Sequence, residues 1–153
     1  FIGPTIGRSG YRTMAEFRDA VLRRYQQFYD QADAIAQARI AAGKWTNDPM
    51  VVGRRLDAMA RVDLRDWLAS EGIPHEAGDI IQVNRWLRDV AGSGAHRVPD
   101  VRIPGARTIF DGTIGWKSST TPQVIDFHNF SGGDTVIIVR PTRLGGSYEI
   151  VFP

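Results

Sequence analysis

Residues 135–141 read Thr-Val-Ile-Ile-Val-Arg-Pro. Four consecutive β-branched apolar residues cannot sit on a half-solvated surface, so this run predicts a strand buried on both faces. Pro141 ends it, because proline cannot donate to a ladder. On the upstream side, Ser131-Gly132-Gly133-Asp134 reads as a tight hairpin turn. Gln123 to Phe130 then alternates in polarity and predicts a partner strand, with Val124, Asp126, His128 and Phe130 on one face. Downstream, residues 141–146 read as a loop and Ser147 to Phe152 as a last strand. Further upstream, Thr108-Ile109-Phe110 runs into an Asp111-Gly112 turn or bulge. A strand from Thr113 to Lys117 follows, then a loop over Ser118 to Pro122.

The pattern changes at Ala91-Gly92-Ser93-Gly94-Ala95, a small-residue loop. Before it the period is helical. Thr13-Met14-Ala15-Glu16 is a capping box, followed by Phe17, Val21, Tyr25, Phe28, Ala32 and Ile35 at steps of three or four. Asp48-Pro49 opens a second helix carrying Val52, Leu56, Met59, Leu64, Trp67 and Leu68, which Gly72 and Pro74 end. Ile80, Val83 and Leu87 suggest a third. The expectation is an α+β chain: helices at about 13–43, 48–71 and 79–88 within residues 1–95, packed on an antiparallel sheet of four to five strands over residues 96–153, all in one compact domain.

Composition narrows the chemistry. The 153 residues are 42% hydrophobic and 24% charged, enough to bury a core. There is no cysteine, which excludes disulfides, zinc–cysteine sites and a thiol nucleophile. No run of eighteen apolar residues occurs, so no membrane segment is expected. Residue 1 is Phe and no signal peptide follows, as expected of a piece of a longer parent. Net charge is only +2, but every basic residue except Lys44 and Lys117 is arginine. Arginine suits bidentate phosphate contacts, and the same usage also follows from GC-rich coding.

The β half carries polar groups where a packed sheet would prefer apolar ones. His128 is a natural acid or base, with Asp126 two residues away. Lys117, at a strand end beside Ser119 and Thr120, could hold a phosphate. Arg140 ends the buried strand, and its charge needs a partner or a ligand. Thr142, Ser147 and Tyr148 bring hydroxyls to the same neighbourhood, and Gly145-Gly146 permits close backbone approach. Metal-independent RNA cleavage needs this set: a base for the ribose 2′-OH, an acid for the leaving oxygen, and donors for the charged phosphorane. Here His128 would be acid or base, Lys117 and Arg140 would stabilise the transition state, and Asp111 or Asp126 would orient His128 or act as base. Thr142, Ser147 and Tyr148 would hold the phosphate, with Ser119 and Thr120 on the substrate. No metal or other cofactor is expected on this reading. The rival is a metal-dependent nuclease, whose restriction-type signature is an Asp, then an Asp or Glu two residues before a Lys. Pro99-Asp100 is present, but Gly115 stands two before Lys117. A third reading is a docking module, using the aromatic first helix and an outward-facing Tyr29.

From His96 on, Val98–Gly105, Asp111–Gly115, Thr121–Gln123, Phe130–Gly133, Val139–Thr142 and Gly145–Tyr148 resemble the C-terminal toxin domains of bacterial contact-dependent inhibition proteins and related polymorphic toxins. Helices followed by a small sheet are also similar to the barnase/EndoU/colicin/RelE group of RNases. The resemblance implies a secreted or cell-surface effector fragment that is delivered into the cytoplasm of a target bacterium. It also implies an RNA substrate, tRNA in particular, and a cognate immunity protein. Barnase-like enzymes pair a Glu base with a His acid, and Glu149 is the sole Glu in the β half.

Overall fold

Thr13 starts the first helix as the sequence suggests: its hydroxyl accepts from the Glu16 N–H at 3.0 Å and caps α1, Met14–Ala41. The computed structural model describes residues 3–153. Asp48 caps α2, Pro49–Ser70, by accepting from the Met50 N–H at 2.9 Å. The two helices pack along Phe17, Val21, Tyr25, Tyr29 and Ala32 on one side and Val52, Leu56, Ala60, Leu64 and Leu68 on the other. Tyr29, expected at the surface, is fully buried. Ile35, expected in the stripe, is 45% exposed.

After α2 come β1 (Gln82–Val83), β2 (Leu87–Arg88), β3 (His96–Arg97), β4 (Val101–Ile103) and β5 (Thr108–Gly112). Then follow α3 (Pro122–Phe130), β6 (Thr135–Val139) and β7 (Tyr148–Glu149). The result is α+β, with helices leading and strands following. Five local expectations are corrected. There is no helix over 79–88: Ile81 and Val83, two apart, are buried together with Leu87, and Asn84 has φ 55°. Pairing of Val83 with Val101 outweighs the short helical stripe. Residues 123–130 are helical, not extended. Pro122 sits in the first turn and Val124 and Phe127, three apart, are the buried pair. Alternating polarity over so short a run fits either period. Ser131–Asp134 is therefore a helix exit rather than a hairpin, with Gly132 and Gly133 at positive φ. Residues 113–117 form a loop, and Asp111-Gly112 ends β5 instead of interrupting it.

These corrections change the sheet. A helix between β5 and β6 is a crossover, so those strands run parallel, with Thr108 opposite Thr135 and Gly112 opposite Val139. The sheet is mixed, five strands in the order β1-β4-β5-β6-β7, and β2–β3 form a separate ribbon. Phe110, Ile137 and Val139 face α1 and α2, whereas Ile109, Val136 and Ile138 face α3. The segment after β6 is fastened to α1. Asp30 accepts from both the Thr142 N–H and hydroxyl, at 2.7 and 2.6 Å, and Arg143 grips Asp33 at 2.7 and 3.0 Å.

Candidate active site

The C-terminal ends of β5 and β6 lie together because the strands are parallel. The N-terminal end of β4 joins them because β4 is antiparallel to β5. Open α/β sheets bind ligands at that end of parallel strands. A cleft of about 560 Å³ opens there, lined by α2 residues Gly53, Arg54 and Asp57, by Asp100, and by Asp111 to Gly115, Lys117 and Gln123.

Asp111, next to last in β5, is buried at the cleft end of the strand. Its Oδ2 accepts from Lys117 Nζ at 2.7 Å, and the same ammonium donates to Gln123 Oε1 at 2.8 Å. Tyr148 holds the Lys117 peptide from both sides: its hydroxyl accepts from the Lys117 N–H at 3.0 Å and donates to the Lys117 carbonyl at 2.7 Å. Asp100 stands just before β4. Its Oδ2 accepts from the Gly112 N–H at 2.7 Å, and its Oδ1 meets Arg61 at 3.3 Å. Asp57 accepts from the Tyr29 hydroxyl at 2.5 Å. Gly112 is required here. A Cβ at this position would lie 2.5 Å from a Tyr29 ring carbon and 3.0 Å from the Tyr25 hydroxyl. The Tyr25 hydroxyl is buried beside the cluster without a hydrogen-bond partner.

Three carboxyls of like charge therefore share one poorly solvated corner. Burial raises Asp57 from 3.8 to about 6; its bond from Tyr29 opposes the rise and Asp111 adds to it. Burial, then the charges of Asp111 and Asp57, push Asp100 well above the ordinary carboxylate range. Burial also raises Asp111. The Lys117 ammonium and hydrogen bonds from Lys117 and Asp100 hold that rise back.

The expected site residues separate. Asp111 and Lys117 are in contact, and Tyr148 braces Lys117. Arg140 reaches the rim, where its guanidinium donates to the Ile114 and Leu144 carbonyls at 3.2 and 2.8 Å. Ser119 and Thr120 lie in the turn leading into α3, where Thr120 Oγ1 lies 2.9 Å from Ser118 Oγ. Thr142 is occupied by Asp30, and Ser147 by Gln26. Asp126 pairs with Arg97 at 2.8 Å. His128 is at the wrong end of the sheet. It sits near the end of α3, stacks on Phe152 at 3.9 Å, and its Nδ1 is 3.0 Å from the Asp134 carbonyl, which precedes β6. Five residues of β6 separate Asp134 from Arg140, six steps that span about 20 Å at the usual rise. His128 and Lys117 therefore share no cleft.

Asp57 and Gln123 are the members that sequence reading missed as site residues, while Asp100 entered it only as the acid of the rival metal-dependent signature. Gly53, Asp57 and Arg61, four apart on α2, mark a polar stripe that could have pointed to the cleft. No family model, curated protein or solved structure matches the chain.

Proposed function

We propose that this cleft hydrolyses phosphodiester bonds of nucleic acid with the aid of a divalent cation. The observation that carries the reading is Asp100 against Asp111, with Lys117 on the same carboxylate. The restriction-type signature places an Asp, a second acid and a Lys together by spacing. Here folding assembles them, with lysine supplied from a loop six residues after Asp111 rather than two.

Among the described residues, no three His, Cys, Asp or Glu side chains are grouped so that together they could hold a metal ion. Magnesium does not need such a group, since it binds through one or two carboxylates together with waters and substrate phosphates. The donor set fits: hard carboxylate oxygens, a like-charge pair that a cation would relieve, and the orphaned Tyr25 hydroxyl alongside. Asp100 and Asp111 would hold the ion. When bound it supplies charge to offset the phosphorane and acidifies a water. Lys117, steadied by Gln123 and Tyr148, donates to a phosphate oxygen as negative charge grows there. Arg54, exposed at the cleft wall, meets the incoming backbone.

The resemblance to polymorphic toxins supports RNA, tRNA in particular, as substrate, delivery into a target bacterium, and an immunity protein that covers the cleft. The test is digestion of total tRNA and of duplex DNA by the purified chain. Cleavage should stop in excess EDTA and return with Mg²⁺ or Mn²⁺, leaving open rather than 2′,3′-cyclic phosphate ends. Cleavage that persists in EDTA with cyclic ends would sink the reading. A companion expectation concerns His128: His128→Ala should leave cleavage within about threefold of wild type, far short of the hundredfold typical of losing a transition-state contact. Its effect should fall on stability, at about 1 kcal/mol for the lost Phe152 stack.

A further inference from the structure

Trp116 is 69% exposed, yet its ring is not loose. It lies on Tyr148 with centroids 4.3 Å apart and planes 16° from parallel. The same Tyr148 hydroxyl holds both ends of the Lys117 backbone. One tyrosine therefore sets the height of the Trp116 ring and the position of the lysine that reaches Asp111. Arg140 adds a cation 5.6 Å from the Trp116 centroid and is itself anchored to Ile114, a cleft residue. Even with Tyr148 stacked against it and Arg140 over it, the 69% exposure leaves part of the ring surface open to solvent beside that cation.

Single exposed aromatic residues are common and need no explanation. Here, however, the ring is flat, backed and keyed to the lysine of a phosphate-handling cleft. Any nucleobase has a π-face that can stack on such a ring. A base inside a duplex already has neighbours on both faces. An unpaired or extruded one has a face to give. We propose that Trp116 stacks one unpaired nucleobase beside the phosphate held at Lys117, so that the preferred substrate is a single-stranded or looped segment. The inference rests on the nuclease reading for the position of that phosphate.

The test measures binding, so that it is independent of turnover. Labelled 2′-O-methyl RNA, which offers no 2′-OH for attack, is titrated in EDTA as a single strand and as the duplex of the same sequence. Wild type should bind the single strand more tightly. Trp116→Ala should weaken single-strand binding about tenfold, the scale of one lost base stack, and leave duplex binding unchanged. Trp116→Phe should keep most of the affinity. Single-strand binding by Trp116→Ala equal to wild type would overturn the platform, and assign the exposed ring to a protein partner if that variant loses immunity-protein binding instead. Equal losses in the Ala and Phe variants, with lowered melting temperatures, would also overturn it. The nuclease reading is judged separately, by whether wild type cleaves in a metal-dependent manner. A wild type that binds neither strand overturns the platform, whatever the cleavage assay shows.

Discussion

Asp111→Asn should lower nucleic-acid cleavage by at least about a hundredfold, the usual scale for removing one charged contact to the reacting phosphate. The change is nearly isosteric. It keeps an oxygen for Lys117 and removes only the charge, along with the capacity to hold a cation. Because burial already raises Asp111, neutralising it should not weaken the fold. The measurements are turnover on tRNA and a melting curve on the same preparation: activity falls, melting temperature holds or rises. Lys117→Met should produce a loss of similar size. Since Lys117 acts on the same carboxylate at 2.7 Å, the double variant should lose little more than either single one. Independent, additive losses would separate the two residues and break the site as described.

The second large effect is on stability. Asp57→Asn should make the protein more stable at pH 8 and leave it nearly unchanged at pH 4. The folded state raises Asp57 from 3.8 to about 6, so the native chain holds this proton more tightly than the unfolded chain. Stability from this group is therefore greatest below pH 4, falls as pH rises from about 4 to about 6, and is level above that. The loss is on the order of 1–3 kcal/mol, which corresponds to several degrees in melting temperature for a chain of this size. Asparagine still accepts from the Tyr29 hydroxyl, so the variant removes the buried charge without orphaning a donor. Urea melts at the two pH values decide the matter. An equal gain at both would mean that charge is not the cause. The same substitution should impair cleavage, a common exchange between stability and activity at such sites.

The two long helices were legible because their signals are redundant. Thr13 and Asp48 cap them, and each stripe runs for several turns. The interior strand was legible because Val136 to Val139 tolerate no other placement. The short elements were not. Nine residues of α3 fit two periods, and the choice between them depends on Val124 and Phe127 meeting Ile109 and Ile138, contacts made across the sheet. That one ambiguity carried much of the site with it. Reading residues 123–130 as extended makes neighbours of His128 and Asp126. Reading them as a crossover helix sends His128 to the far end and delivers Gln123 to Lys117. The carboxylate cluster joins Asp57, Asp100 and Asp111 from α2, the start of β4 and the end of β5, so no local spacing could reveal it. Asp111 and Lys117 were found from sequence as chemically suggestive residues, while their contact is a product of the loop between them.

Gly112 gives the carboxylate corner a particular rigidity. Two tyrosines of α1 press against the bare backbone there, and the adjoining peptide N–H is fixed by Asp100. The strand cannot retreat from the helix, nor can the acids spread apart by bending it. Mutual repulsion in that corner has chemical outlets but no mechanical one: it is relieved by a proton, by an ammonium, or by a visiting cation.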